Sequence, residues 1–182
     1  MTDQRIDEIV ALLVEFGDVR YGEDVSQMEH SLQCARLASI DDASSELIAA
    51  SLLHDIGQFL NDAGNAAEQR GVDARHEVIG ADYLSRYFAE GVTEPVRLHV
   101  EAKRFLCAAE PGYCESLSDA SGLSLRLQGG PFDRHQSEAF LERPFAQDAI
   151  RLRRFDDQAK RRSWVVPDLE TYCPLLKSVM RC

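Results

Sequence analysis

Residues 44–60 read SSELIAASLLHDIGQFL, and this stretch decides the fold. Leu47, Ile48, Ala50, Leu52, Leu53, Ile56 and Leu60 leave almost no polar stripe. A helix apolar nearly all round belongs at the centre of a molecule, so this segment is expected to be the buried central helix. Ser44 or Ser45 can cap its start. His54 and Asp55 fall in its second half, which puts an imidazole beside a carboxylate in the core. Burying both is costly unless they are paired or bound to a metal.

Working outward, the other histidines fall into step with His54. His30, His54, His76 and His99 follow one another at nearly even intervals. Ile6, Ile9, Val10 and Leu13, followed by Gly17, predict a first amphipathic helix. Asp18–Asp24 reads as a loop. Ser26 with Glu29 makes a capping box for a helix to about Ala38, with His30 early in it. A loop over Asp62–Gly71 leads to a helix from about Ala74 to Phe88 that carries His76. Thr93-Glu94-Pro95 is expected to open the helix of His99, which runs to Leu106. Ala108–Phe132, with its glycines and Pro111 and Pro131, is expected to be a long ordered loop with short helices, over one side of the bundle. Phe140–Arg162 reads as helix and carries Asp156, and Pro167 and Pro174 break up the tail. No strand alternation persists, so the fold class is all-α.

Each of these four helices thus delivers one histidine, and bundles build metal sites from side chains on facing helices. The order H…HD…H…H…D supplies imidazole and carboxylate in sufficient number for two transition-metal ions. His135, in a polar setting, matches no ligand position and is expected at the surface. Phe155 and Trp164 are expected in the core.

Composition narrows the partners. A chain of 182 residues, 45% hydrophobic and 28% charged, fits one soluble globular domain spanning 1–182. A net charge of −11 argues against nucleic acid and against an anionic membrane surface. The acidic N-terminus lacks the features of a signal peptide, and no apolar run approaches the roughly 20 residues needed to span a bilayer. Five cysteines without a CxxC pair suggest neither a disulfide framework nor a zinc knuckle, and a cytoplasmic setting is expected.

The H…HD…D pattern resembles the HD domain, an all-α metal-binding fold found mostly in phosphohydrolases, and His76 and His99 resemble its dinuclear branch. Tyr21, Glu23, QMEHSLQCA (27–35), HVEAKRFL (99–106), LSDAS (117–121) and QGGP (128–131) look more narrowly like the HD-domain mixed-valent diiron oxygenases, which cleave the carbon–phosphorus bond of 1-hydroxylated aminoethylphosphonates. The resemblance runs from about Tyr21 to Asp156. It implies an HD-domain helical bundle with a dinuclear site in its core, holding two Fe ions as Fe(II)/Fe(III), with O2 as co-substrate and a small organophosphonate as substrate. Asp55 would bridge the irons. His30, His54 and Asp156 would complete one iron, and His76 and His99 would hold the other.

By the same resemblance Tyr21 occupies the open metal position until substrate displaces it, and Glu23 is the candidate partner for the substrate's cationic nitrogen. Lys103 lies one turn after His99 on the same helix face and could neutralise the phosphonate. Ser121 and Arg153 are further phosphonate contacts, while Arg154 suits the surface equally well. Gln58 follows HDIG where HD proteins often carry a basic residue; that charge is missing, which weakens a phosphohydrolase reading and leaves an amide as candidate substrate contact. The segment from Tyr21 to His30 looks one residue short and carries an extra acid, Asp24. This is expected to admit a bulkier head such as trimethylammonium. The implied reaction yields phosphate with glycine betaine or, from the primary amine, glycine. Two alternatives stay open: a metal-dependent phosphohydrolase of a nucleotide or phosphate ester, and a non-enzymatic HD module, which would tend to have lost ligands.

Overall fold

The computed structural model describes residues 4–20, 24–60 and 71–181. Ten α-helices and one 3-10 turn make up the regular structure of these residues: α1 (Gln4–Phe16), α2 (Gln27–Ile40), α3 (Ser45–Leu53), the 3-10 turn (Ile56–Gln58), α4 (His76–Leu84), α5 (Glu90–Ala109), α6 (Tyr113–Ser116), α7 (Asp119–Leu127), α8 (Arg134–Leu141), α9 (Ala146–Gln158) and α10 (Leu169–Val179). The architecture is all-α, as expected. Phe88 and Met180 form an isolated β-bridge.

Helix α3 is the hub. Every residue from Leu47 to Leu53 is buried, and α2, α5, α9 and α10 pack around it. The main core joins Ile6, Ile9 and Leu13 of α1 to Leu84, Val92 and Val96, and reaches Leu176 in α10. A smaller cluster ties Leu98, Ala102 and Leu106 of α5 to Phe140 and to Ala146, Ala149 and Ile150 of α9. No helix of the described residues is long and apolar enough to cross a membrane.

Local rules place α2 as the sequence suggests. Ser26 accepts from the Glu29 amide and Glu29 accepts in turn from the Ser26 amide, which completes the capping box. The amides of Gln27 and Met28 donate to the Val19 and Gly17 carbonyls at 2.9 and 2.8 Å. No helix carbonyl can reach amides at this end, so the preceding loop satisfies them. Ser44, not Ser45, caps α3.

Several boundaries differ from the sequence reading. Helix α3 stops at Leu53, so His54 and Asp55 lie just past its end and not inside it. The chain turns there and brings Gly57 against α4. Its backbone lies so close to α4 that a Cβ would stand 2.0 Å from the His76 carbonyl oxygen and 2.6 Å from the Gly80 nitrogen. A continued helix with a side chain there would collide with α4. Helix α5 opens at Glu90, ahead of Thr93, because Val92 and Val96 both belong to the core; Pro95 sits inside it. Pro174 likewise sits inside α10 and does not break it.

The 108–132 region is mostly helical. Helix α5 extends to Ala109 and α7 fills nine residues, capped by Ser118. The QGGP turn that closes α7 uses left-handed backbone at Gly129 and Gly130, with φ of 96° and 72°, a region that glycine enters without steric cost. Arg104 fastens the turn to α5, donating to the Gly130 carbonyl at 2.7 Å while its guanidinium lies over the Phe132 ring. The expected helix over Phe140–Arg162 is interrupted at 142–145 and ends at Gln158. Pro144 precedes Phe145, which is left-handed, and a proline there removes a helix donor. Trp164 is half-buried beneath Arg161 and not in the core, whereas Phe155 is buried and His135 is exposed. The loop expected over Asp62–Gly71 lies, except for Gly71, outside the described residues.

Candidate metal centre

Four elements converge on one point. His30 comes from the second turn of α2, His54 and Asp55 from the break after α3, His76 from the first residue of α4, and His99 from the middle of α5. Gly57 is what brings the HD pair against α4, since it allows the two backbones to touch. Asp156 arrives from the last turn of α9.

Three imidazoles are held in the same way. His30 Nδ1 lies 2.9 Å from the Ala159 carbonyl, His54 Nδ1 3.0 Å from that of Ser51, and His99 Nδ1 2.7 Å from that of Val96. A carbonyl only accepts, so each Nδ1 carries the proton and donates it. On His54 and His99 the lone pair is left on Nε2, the tautomer of a metal ligand; His30 is raised above the ordinary histidine value by Cys34 and Asp156 despite its burial, so an ion there would displace its Nε2 proton. His76 is backed instead by the Glu77 carboxylate, at 3.9 Å from Nδ1.

The Nε2 atoms then pair off. His30 and His54 approach to 3.3 Å, and His76 and His99 to 3.2 Å. Donors about 2.1 Å from one shared ion lie roughly 3.0–3.4 Å apart at tetrahedral to octahedral angles, so these spacings suit a metal. Asp55 stands between the pairs. Its Oδ2 is 3.5 Å from His54 and 3.9 Å from His30; its Oδ1 is 3.4 Å from His76 and 4.0 Å from His99. Each oxygen thus faces its own pair. Asp156 Oδ1 adds a donor 3.3 Å from His30. The first half therefore has four protein donors and the second has three. Lone pairs aimed at one another across so short a gap repel, and a cation between them relieves this.

Charge is distributed to keep the carboxylates ionised. Burial pushes the Asp55 carboxyl up, but its interactions with His54 and His76 outweigh it and hold it well below the usual range. Burial also opposes ionisation of Asp156, and Arg153 overcomes it. Burial pushes His99 well below the ordinary histidine value, aided by His76 and His54. Its ring is left neutral and ready to ligate.

A cavity opens onto the centre, bordered by His76 and His99 of the second half, by Asp55, and by His30 and Asp156 of the first. Its walls include Val25 and Gln27 from the start of α2, Gln58, Val100 and Lys103 of α5, Ser121 and Ser124 of α7, and Arg153 and Lys160. Lys103 is only 2% exposed and donates to Ser124 Oγ at 2.7 Å. Ser121 Oγ accepts from Lys160 and from Arg153, both at 3.3 Å. Arg153 is largely spoken for by acids: it donates to Asp156 at 2.7 Å and is clamped by Asp157, which also accepts from Tyr113.

Every expected site residue among the described residues therefore gathers here; Tyr21 and Glu23 lie outside them. Two roles shift. Arg153 is as much a brace for Asp156 as an anion contact. Asp24 does not line the cavity: its carboxylate is bound to Arg162 in an outer depression, so it supplies no charge to the interior. Arg154 pairs with Glu110 at the surface. Sequence reasoning missed Gln27, Ser124, Lys160 and Cys34. Cys34 is buried with Sγ 3.8 Å from His30 Nε2, farther than Asp156. Its signal was its place one helical turn after His30. Gln27 had a similar one, a turn ahead of His30.

Comparison with known proteins agrees with this centre. Residues 28–129 match the HD domain family. The chain is 42% identical over 170 residues to a hydroxymethylphosphonate dioxygenase of Gimesia maris, covering 93% of this chain and 85% of the relative. It is 39% identical over 165 residues to a [1-hydroxy-2-(trimethylamino)ethyl]phosphonate dioxygenase (glycine-betaine-forming) of Leisingera caerulea, covering 90% of this chain and 84% of the relative. A dinuclear-type cluster inside an HD fold, with relatives of this similarity along nearly the whole chain, places the protein: it belongs to the HD-domain phosphonate oxygenase family.

Proposed function

We propose that this protein uses O2 to cleave the C–P bond of a small 1-hydroxyalkylphosphonate, such as 1-hydroxy-2-(trimethylammonio)ethylphosphonate or its primary-amine analogue. The observation that carries the reading is Asp55, whose two oxygens each face a separate histidine pair, at the floor of a cavity that both halves border and that Lys103 and Ser121 line. The assigned metal ligands are His30, His54, Asp55 and Asp156 on one side and Asp55, His76 and His99 on the other. The chain from 1 to 182 is read as one HD domain, a reading supported by a core that draws on residues from Ile6 to Leu176. A cytoplasmic location suits the unpaired thiols of Cys34, Cys107, Cys114 and Cys173, because a reducing compartment keeps thiols free.

The stoichiometry closes without an outside reductant. The C1 carbon rises from alcohol to carboxylic acid and loses phosphorus as phosphate. One O2 supplies both oxygen atoms and takes up all four electrons. Hydroxymethylphosphonate would give formate, the primary amine glycine, and the trimethylated substrate glycine betaine. A mixed-valent Fe(II)/Fe(III) pair supplies, when bound, the O2 site and the redox capacity that Mg or Mn hydrolase centres do not use.

The chain's own residues do the rest. Lys103 and Ser121 hold the phosphonate by charge-assisted and neutral hydrogen bonds. Arg153 fixes Asp156 and offers its remaining donors to the same anion. Asp55 would be shared by the two ions, and the carbonyl contacts of His30, His54 and His99 orient each ring with Nε2 toward the centre.

The test is phosphate release together with O2 uptake by iron-loaded protein given each of the three phosphonates. One phosphate per O2, and none without O2, is the expected result. Anaerobic phosphate release from simple esters under Mg or Mn would move the protein to the hydrolases.

A further inference from the structure

Gln27 is the first residue of α2 and takes no part in holding the metals or the phosphonate. It is 5% exposed, it lines the cavity, and its Oε1 is buried without a hydrogen-bond partner among the described residues. Its backbone cannot drift: the amide donates to the Val19 carbonyl at 2.9 Å, and the Ser26–Glu29 capping box fixes the helix start beneath it. An unpaired buried carbonyl oxygen costs free energy, and such groups in native proteins usually meet a ligand or a water.

The position of this oxygen says what it meets. Side chains on a helix lean toward its N-terminus, so the amide lies on the Val25 side of His30. Val25 is also a wall of the outer depression formed with Arg20, Asp24, Glu29 and Arg162, so this is the outward side of the cavity. The groups assigned above to the phosphonate, Lys103 and Ser121, stand on α5 and α7. A phosphonate seated on those helices, with its hydroxyl at the metal centre, turns the substituent on its second carbon toward α2.

We propose that Gln27 selects the head group, its amide oxygen accepting a hydrogen bond from an N–H donor on that second carbon. The proposal rests on the phosphonate oxygenase reading above. A primary ammonium offers three donors, and a bond from it to an amide oxygen is charge-assisted. Trimethylammonium offers none, and hydroxymethylphosphonate has no second carbon. Asp24, held by Arg162 outside the cavity, does not compete for the role.

The experiment compares kcat/KM for the three phosphonates in the wild type, Gln27→Met and Gln27→Glu. Methionine keeps the volume and the burial but removes the acceptor; glutamate keeps the acceptor and adds charge. Gln27→Met is expected to lower kcat/KM for the primary amine by about tenfold or more while the other two substrates change by less than about twofold. Gln27→Glu is expected to restore the primary amine to at least the wild-type value. Equal losses on all three substrates, no loss on the amine, or a wild type that neither binds nor turns over the amine overturns the proposal. If no phosphonate yields phosphate with O2, the oxygenase reading has failed. Calorimetric binding of the same three compounds to metal-loaded protein then decides Gln27 separately: a loss confined to the amine sustains the proposal, and any other pattern rejects it.

Discussion

The two halves of the metal centre are built from the same kinds of side chain and differ in what stands behind them. On the His30–His54 side both rings donate to backbone carbonyls, and their side chains are 7% and 1% exposed. Asp156 joins them, braced by a buried arginine that is itself clamped by Asp157. On the other side His99 is equally fixed, but His76 opens a helix directly after Arg75, whose φ is 51°, and its side chain is 12% exposed. No second carboxylate completes that half among the described residues. The lesson is that a dinuclear centre becomes asymmetric through its supports. On the proposed reading the well-braced half would hold its ion more firmly, and the donor-poor half would keep positions free for substrate.

Asp55 is the side chain that both halves share, so Asp55→Ala has the largest expected effect. Affinity for both ions should fall at least about a hundredfold, since altering even groups behind a ligand costs that much. Metal content per chain should approach zero, as measured by mass spectrometry, with activity lost. Retention of one ion at full affinity would break the comparison. Next comes Gly57→Ala, which drives a Cβ into the His76 carbonyl and disturbs only the open half directly. Overpacking of this kind typically costs about 1–3 kcal/mol, and the thermal midpoint should drop accordingly. The expected metal content falls toward one, with the His30–His54 half retained.

Lys103→Met sharpens the comparison from the substrate side. The metal content should stay at two while KM for the phosphonate rises about ten- to a hundredfold, the value of a lost charge-assisted bond. A fall in metal content would mean that Lys103 serves the centre and not the anion. The smallest effect concerns acid stability of the metal-free protein. Asp156 titrates well below the ordinary 3.8 because Arg153 outweighs its burial. Its contribution is therefore complete above the unfolded value and is lost as pH falls through and below about 3.8. Denaturant melts of Asp156→Asn should show a shallower decline over that window than the wild type. An unchanged slope would deny the brace on the closed half.

How far the sequence revealed this centre follows from the kind of signal each residue carried. The histidine spacing and the HD pair were legible because burying them needs a partner, whatever the helix boundaries. The boundaries themselves were less so. His54 and Asp55 read as helical from the apolar pattern, and the chain instead leaves the helix at Leu53 and brings Gly57 against α4, a long-range contact with no local signal. Pro95 and Pro174 mislead for a related reason: core packing of Val92, Val96 and Leu176 carries both helices through a residue that normally stops one. Asp24 looked like an interior acid, and its surface bond to Arg162 depends on a partner far along the chain. Lys160 and Ser124 carried no local motif at all; they matter because the segment just after α9 and helix α7 both reach the cavity.

The central claim is that two ions share Asp55 and that only one of them is open. Mössbauer spectroscopy of 57Fe-loaded protein, with and without hydroxymethylphosphonate under anaerobic conditions, tests it directly. Two iron sites of equal area, of which substrate shifts one and leaves the other in place, is the predicted result. A single iron environment, or equal shifts at both sites, would contradict it.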